Sequence, residues 1–151
     1  DFMGILEEKV KASPEVIEHI ELELTESALM EDPEEALHQL NRLRNMGFEL
    51  SMDDFGTGYS ALSVLRKYPF QTLKIDMSFV FNMIDSKEDE AIVATIVSLG
   101  KSLNMKLVAE GVETEEQATI LGSMGCDVGQ GFLYSRAVNF HEARHFLNAA
   151  G

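Results

Sequence analysis

The chain is short of several things. Its 151 residues include one cysteine, Cys126, so no internal disulfide can brace it, and a reducing compartment is the weak implication. The ordinary reading of Cys126 is a small buried hydrophobe. No apolar run approaches the ~18 residues of a membrane span. The best candidate, around Ile92 to Leu99, is too short and sits in a helical pattern. A secretory signal is missing, as are low-complexity segments and internal linkers. A cytoplasmic location is therefore expected, with no membrane contact from this segment. Basic residues are scarce: 12 Lys and Arg stand against 26 Asp and Glu, for a net charge of -14. That excludes a long nucleic acid held on a basic surface.

What is present is an ordinary globular composition, 45% hydrophobic and 25% charged, long enough for one domain with a real core. The excess of acid has two readings. One is a soluble, self-repelling surface. The other is a set of carboxylates gathered to hold metal. Their positions decide between them.

Strand and helix patterns alternate. "IELELT" (20–25) predicts a strand. A helix follows, with Asp32 as N-cap, Pro33 in the first turn, Leu37, Leu40, Leu43 and Met46 on one side and Gly47 as stop. "FELSMD" (48–53) is the next strand, then a short helix over 60–68, a strand over 72–76 and a long helix over 88–103. "KLVAE" (106–110) is a strand, and 114–124 a helix opened by a capping box of Thr114 and Gln117. "DVGQG" (127–131) is a last short strand, and 140–150 a closing helix. The opening segment, 2–11, also reads as helix.

A βα repeat implies parallel strands. In a doubly wound sheet such strands are apolar on both faces. Here Ile20, Leu22 and Leu24 alternate with Glu21, Glu23 and Thr25; Phe48, Leu50 and Met52 with Glu49, Ser51 and Asp53; Leu73 and Ile75 with Lys74 and Asp76. One face is apolar and the other polar. A polar face shared by parallel strands suits the inside of a (β/α) barrel that carries a site. The strands also end on polar groups: Glu23 and Glu26, Asp53 and Asp54, Lys74 and Asp76, Glu110, Gln130. In a barrel those ends converge on the face where active sites are built. A lone strand-end acid is ordinarily solvated; a converging set needs cations, and divalent oxygen-loving metals are the natural ones.

Five stretches, "ELTES" (23–27), "DDFGTGYS" (53–60), "LKID" (73–76), "AEGVET" (109–114) and "GCDVGQGF" (125–132), together resemble the EAL domain, a bacterial phosphodiesterase that opens cyclic di-GMP to linear diguanylate. The resemblance runs from about residue 2 to the end. It implies a TIM-like (β/α) barrel, and carboxylates at Glu23, Asp53, Asp54 and Glu110 binding two Mg2+ or Mn2+ ions. By the same resemblance Lys74, Glu110 and Asp53 are catalytic, Lys74 contacting the attacking water and the phosphate. Glu26 anchors the loop after the double acid, Glu113 lies on the rim, Gln130 supports the site, and Phe55, Gly56, Thr57 and Gly58 form the substrate loop. The glycines let that loop take positive φ. Implied partners are cyclic di-GMP, a second copy or complementing chain, and sensory or GGDEF domains in a parent protein that itself can be membrane-attached.

Departures from the family pattern are specific. The family's Glu-Ala-Leu lies at the end of its first strand, upstream of "ELTES", and a later asparagine also binds metal; neither is found here. The letters at Glu35, Ala36 and Leu37 fall in the first turns of a helix, where Glu35 is a solvated acid favoured by the helix dipole. Met77 replaces a frequent arginine and Ala137 a frequent proline. A whole barrel takes about 250 residues and eight strands, so residues 1–151 are expected to be the C-terminal portion of a single EAL domain, a partial barrel of about five βα units lacking the N-terminal strands. A module that binds cyclic di-GMP or a protein without cleaving is the alternative. Receiver-domain, zincin (His141 and His145) and dinucleotide ("GTG") readings fail on residue order or spacing.

Overall fold

The computed structural model describes residues 2–56 and 65–149. Helix α1 (Phe2–Ala12) and a 3-10 turn (Pro14–His19) lead into β1 (Glu21–Thr25). Then come α2 (Glu26–Met30), α3 (Pro33–Asn45), β2 (Glu49–Phe55), β3 (Thr72–Ile75), α4 (Met77–Asn82) and α5 (Lys87–Ser102). The order closes with β4 (Lys106–Glu110), α6 (Glu115–Met124), β5 (Val128–Gln130) and α7 (Phe140–Ala149). Of the short helix expected over 60–68, residues 65–67 are helical and 60–64 lie outside the described residues.

Capping chemistry sets the boundaries. Asp32 Oδ1 accepts from the Glu35 amide at 3.1 Å, and Pro33 fills the first turn of α3, where its missing N–H is no loss. Ser86 Oγ accepts from the Asp89 amide at 3.2 Å and starts α5. The Thr114–Gln117 capping box opens α6, which stops at Gly125 with φ 90°.

All four strand pairings are parallel, in the order β1-β2-β3-β4-β5. Each crossover carries helix, which parallel pairing needs. Strand order that follows chain order is that of a barrel wall; a doubly wound sheet reverses direction at a switch point. The described strands thus form a five-stranded arc of a TIM-like barrel. Its outer face is the core: Leu50, Met52, Leu73, Ile75 and Leu107 are completely buried, with Leu40, Val80 and Val93 facing them from the helices. Gly100 lets α5 settle on the sheet, since a Cβ there would meet Leu107 Cδ2 at 2.5 Å.

Helices α2 and α4 go beyond the sequence-based expectation. So does β2, which continues through Asp54 to Phe55 where an end at Asp53 was expected.

Candidate functional site

The inner face of the arc takes every second residue of each strand. Ser51 pairs with Thr72, Lys74 with Val108 and Glu110 with Gln130. Strand β2 breaks this alternation at one place. Met52 faces Leu73 and Phe55 faces Ile75, so β2 spends one more residue than β3 over the same stretch. The extra residue makes a bulge, and Asp54 within it adopts φ 54°. Phe55 returns to the core at 3% exposure. The bulge is what brings two consecutive acids, which strict alternation would send to opposite faces, together on the inner face.

Ligand atoms of Asp53, Asp54 and Glu110 lie within 4.8 Å of one another. That is close to the ~4.2 Å between opposite oxygens around Mg2+ with ~2.1 Å bonds. The donors are carboxylates alone, a set that suits Mg2+, Mn2+ or Ca2+ rather than softer metals. Lys74 joins Glu23 to this group. Its ammonium is 2.7 Å from Glu110 Oε1, 2.8 Å from Glu23 Oε2 and 3.2 Å from Asp53 Oδ1. Three protons meet three carboxylates, so the ammonium is fully engaged. Asp53 Oδ1 also accepts from the Asp54 amide at 3.1 Å.

The charges bias each other. Burial works against the Lys74 ammonium, whose side chain is 5% exposed. Its hydrogen bonds to Glu110 and Glu23, with Glu110's charge and Asp53's hydrogen bond, outweigh that and hold its pKa above the ordinary lysine value. Burial pushes the Glu110 carboxyl up; Lys74 pulls it back, and Asp53 and Glu23 add to the rise. Asp54 is also raised, by burial first and then by Asp53 and Asp76. Asp76 caps α4, its Oδ1 accepting from the Ser78 amide at 2.9 Å and from the Ser78 hydroxyl.

The other expected residues fall around this centre. Glu113 and Gln130 line a cleft of about 240 Å³ with Glu110, Met77, Gly131 and Phe132. The Glu113 amide donates to Gln117 Oε1 at 2.8 Å, which fixes the rim to the start of α6. Gly56 leaves the bulge with φ 100°, and a Cβ there would lie 3.1 Å from the Phe79 ring. Glu26 opens α2, but its side chain lies outside the described residues, as do Thr57 and Gly58. Glu35 is exposed in α3, where Gln39 Nε2 donates to it. Cys126 is half-buried, and burial raises its thiol pKa. His141 is exposed and packs edge-on against Phe140. Sequence reasoning passed over Ser51 and Thr72 as site neighbours; their inward phase in the alternation was the available signal.

An EAL domain family model matches residues 1–137. The Pseudomonas aeruginosa protein MucR, named a bifunctional diguanylate cyclase/cyclic di-GMP phosphodiesterase, is 49% identical over 118 residues, which is 78% of this chain and 17% of that one. The solved structure of the EAL enzyme Bd1971 in a cGMP-bound form superposes with a TM-score of 0.91 at 34% identity, covering 98% of this chain and 39% of the other. Klebsiella pneumoniae BlrP1, solved as a manganese and cyclic di-GMP complex, gives a TM-score of 0.80 at 36% identity, over 89% of this chain and 34% of the other. The chain spans about a sixth of the length of the curated relatives it matches. Among the described residues, no helix is long and apolar enough to cross a membrane.

Proposed function

The chain belongs to the EAL domain family, and from that premise we propose that it supplies metal-holding carboxylates of a phosphodiesterase that opens cyclic di-GMP to linear diguanylate. The observation that carries this is the inner-face cluster of Asp53, Asp54 and Glu110, tied to Glu23 by a buried Lys74. These four carboxylates would hold two Mg2+ or Mn2+ ions in the complete domain. When bound, such ions supply an activated water and neutralise charge on phosphoryl oxygens.

The chain's own groups divide the remaining work. In the reaction a water oxygen joins phosphorus, one ester P–O bond opens, and the departing ribose oxygen takes a proton. Lys74 stays charged at any working pH, so it donates to an anionic oxygen and cannot receive the water's proton. Among the carboxylates grouped there, Glu110, beside Lys74 and within reach of Asp53 and Asp54, is the one assigned to receive it. Before metal binds, Asp53 holds Lys74 at the site through its hydrogen bond. Gln130 and Glu113 shape the cleft beside Glu110. Phe55, expected in the substrate loop, is instead the last residue of β2 and packs into the core at 3% exposure; the family resemblance assigns the substrate loop to Gly56, Thr57 and Gly58 and its anchor to Glu26. Further domains of the whole protein, of GGDEF or sensory type, and a second copy of the chain as partner belong to the same proposal.

The test is incubation of the full-length protein with cyclic di-GMP and Mn2+ or Mg2+, with the products separated by chromatography. Linear diguanylate should appear, and should vanish with a chelator or with Asp53→Asn. Binding of cyclic di-GMP without turnover at saturating metal would establish the non-cleaving module instead.

A further inference from the structure

Two hydroxyls on the inner face have no hydrogen-bond partner among the described residues, Ser51 Oγ and Thr72 Oγ1. Their residues are 0% and 1% exposed. Buried polar atoms are almost always paired, so an adjacent orphan pair calls for a partner. Ser51 and Thr72 face each other across β2 and β3, and Glu23 faces Ser51 across β1 and β2. The three residues make one row across three strands. Thr72 lies two residues before Lys74 on the same face of β3.

Lys74 already touches one end of that row, at Glu23 Oε2. Its other two acceptors, Asp53 Oδ1 and Glu110 Oε1, belong to the group suited to a divalent cation. An ammonium and a dication on the same carboxylates repel each other and compete for lone pairs. The lysine stem has four flexible carbons and can swing while one bond holds.

Building on the metal reading above, we propose that Lys74 is a counter-ion with two positions. Without a divalent cation its ammonium binds Asp53, Glu110 and Glu23 together. When a cation engages Asp53, Asp54 and Glu110, the ammonium keeps Glu23 Oε2, leaving that carboxylate's other oxygen to a second ion, and moves onto Ser51 Oγ and Thr72 Oγ1. Each position gives the three ammonium protons three acceptors, the second until an anionic oxygen of the substrate takes one of those protons, and the second gives both orphan hydroxyls a partner. The first position keeps the acids assembled before metal arrives, where they would otherwise repel. The second clears the cation's ligands without sending the lysine into solvent.

The experiment is a double-mutant cycle on Mn2+ affinity, measured by calorimetry on the whole protein. Lys74→Met should raise the affinity by roughly tenfold, since a competing cation is gone. Thr72→Val, which keeps the side-chain shape, should lower it by roughly tenfold, the worth of one hydrogen bond to a charged group. In the Lys74→Met background Thr72→Val should change nothing. An equal effect of Thr72→Val in both backgrounds would mean a merely structural hydroxyl, or a water bridging it, and would overturn the proposal. So would unchanged or weaker binding by Lys74→Met. A second measurement needs no variant: the 15N-labelled Lys74 ammonium signal should shift on saturation with Mg2+ and stay protected from solvent exchange. An unmoved signal, or one lost to exchange, overturns the proposal while leaving the metal site standing. Mn2+ binding that survives Asp53→Asn removes the metal reading and this proposal together.

Discussion

The Lys74 ammonium lies 2.7 Å from Glu110 Oε1, across the register that sets Lys74 beside Val108 on the neighbouring strand. The lysine comes from β3 and the glutamate from the last residue of β4, so two strands must be correctly paired before the contact exists. Charge on this lysine should matter most when negative charge builds on phosphoryl oxygens. In the full-length protein, Lys74→Ala should lower kcat by about 10²-fold, or about 2.7 kcal/mol of barrier, by analogy with loss of one oxyanion donor. KM should change much less. Steady-state kinetics at saturating Mn2+ decide this; near-normal kcat with a greatly raised KM would reduce Lys74 to a substrate-holding group.

Proton competition should begin early at this site. Asp54 and Glu110 both have raised pKa values, and a protonated carboxyl does not ligate a cation. Mn2+ affinity should therefore weaken as pH falls, starting at a higher pH than for an ordinary surface carboxylate pair. Calorimetry from pH 7 downward in one buffer series reads it. Affinity that holds constant until the ordinary carboxylate range would show that neither group is raised.

Gly131 offers a test of how tightly the strand end is built. A Cβ there would lie 2.2 Å from Val112 O and 2.4 Å from Val112 N. Both atoms are committed: Val112 N donates to Gln130 O at 3.0 Å, and Val112 O accepts from Leu133 N at 3.0 Å. Backbone cannot step aside as a side-chain tip can, so Gly131→Ala should destabilise by about 1–3 kcal/mol. Because Glu110 and Gln130 are register partners, Mn2+ affinity should drop as well. Urea unfolding checks the first point; a variant as stable as the parent would mean that β5 tolerates displacement.

What the sequence made legible was whatever a single segment encodes. Asp32, Thr114 and Gln117 announced their caps, and β4 keeps its expected bounds because alternation ends there on Glu110 and Gly111. Helices α2 and α4 were not legible, since five and six residues are too few to display a 3.6-residue period. The bulge at Asp54 is a property of two strands, defined by the residue count between Met52 and Phe55 against that between Leu73 and Ile75. One strand's sequence cannot state it. The same holds for the Glu23–Ser51–Thr72 row. Convergence of the acids was legible only through the barrel, and Lys74 emerged as their shared counter-ion only with register.

Asp54 carries two separable burdens, charge and backbone strain. Its pKa is raised by burial, Asp53 and Asp76. For such a group the protonated form is favoured by folding: that stabilising effect is complete below the unfolded pKa and is lost as pH rises through the folded one. At pH 7 the charge therefore works against the metal-free fold. Asp54 also holds φ 54°, where a residue with a Cβ is strained by roughly 1 kcal/mol, with Asn and Gly exempt or nearly so. With a chelator present at pH 7, Asp54→Asn should unfold at a higher temperature than the parent. Asp54→Gly should also lack the charge, and Asp54→Ala should fall about 1 kcal/mol below Asp54→Asn because its strain remains. Near pH 3, below the ordinary carboxylate pKa, the gap between parent and Asp54→Asn should close while the gap between Asn and Ala persists. Added Mn2+ should stabilise the parent and none of the three variants. Thermal unfolding of four proteins at two pH values reads every comparison. A parent more stable than Asp54→Asn at pH 7 in chelator would show that the carboxylate is held by a favourable contact, and the charge half of the account would fall. Equal stability of the Asn and Ala variants would remove the strain half, and with it the reason for an acid, rather than a larger residue, at the bulge.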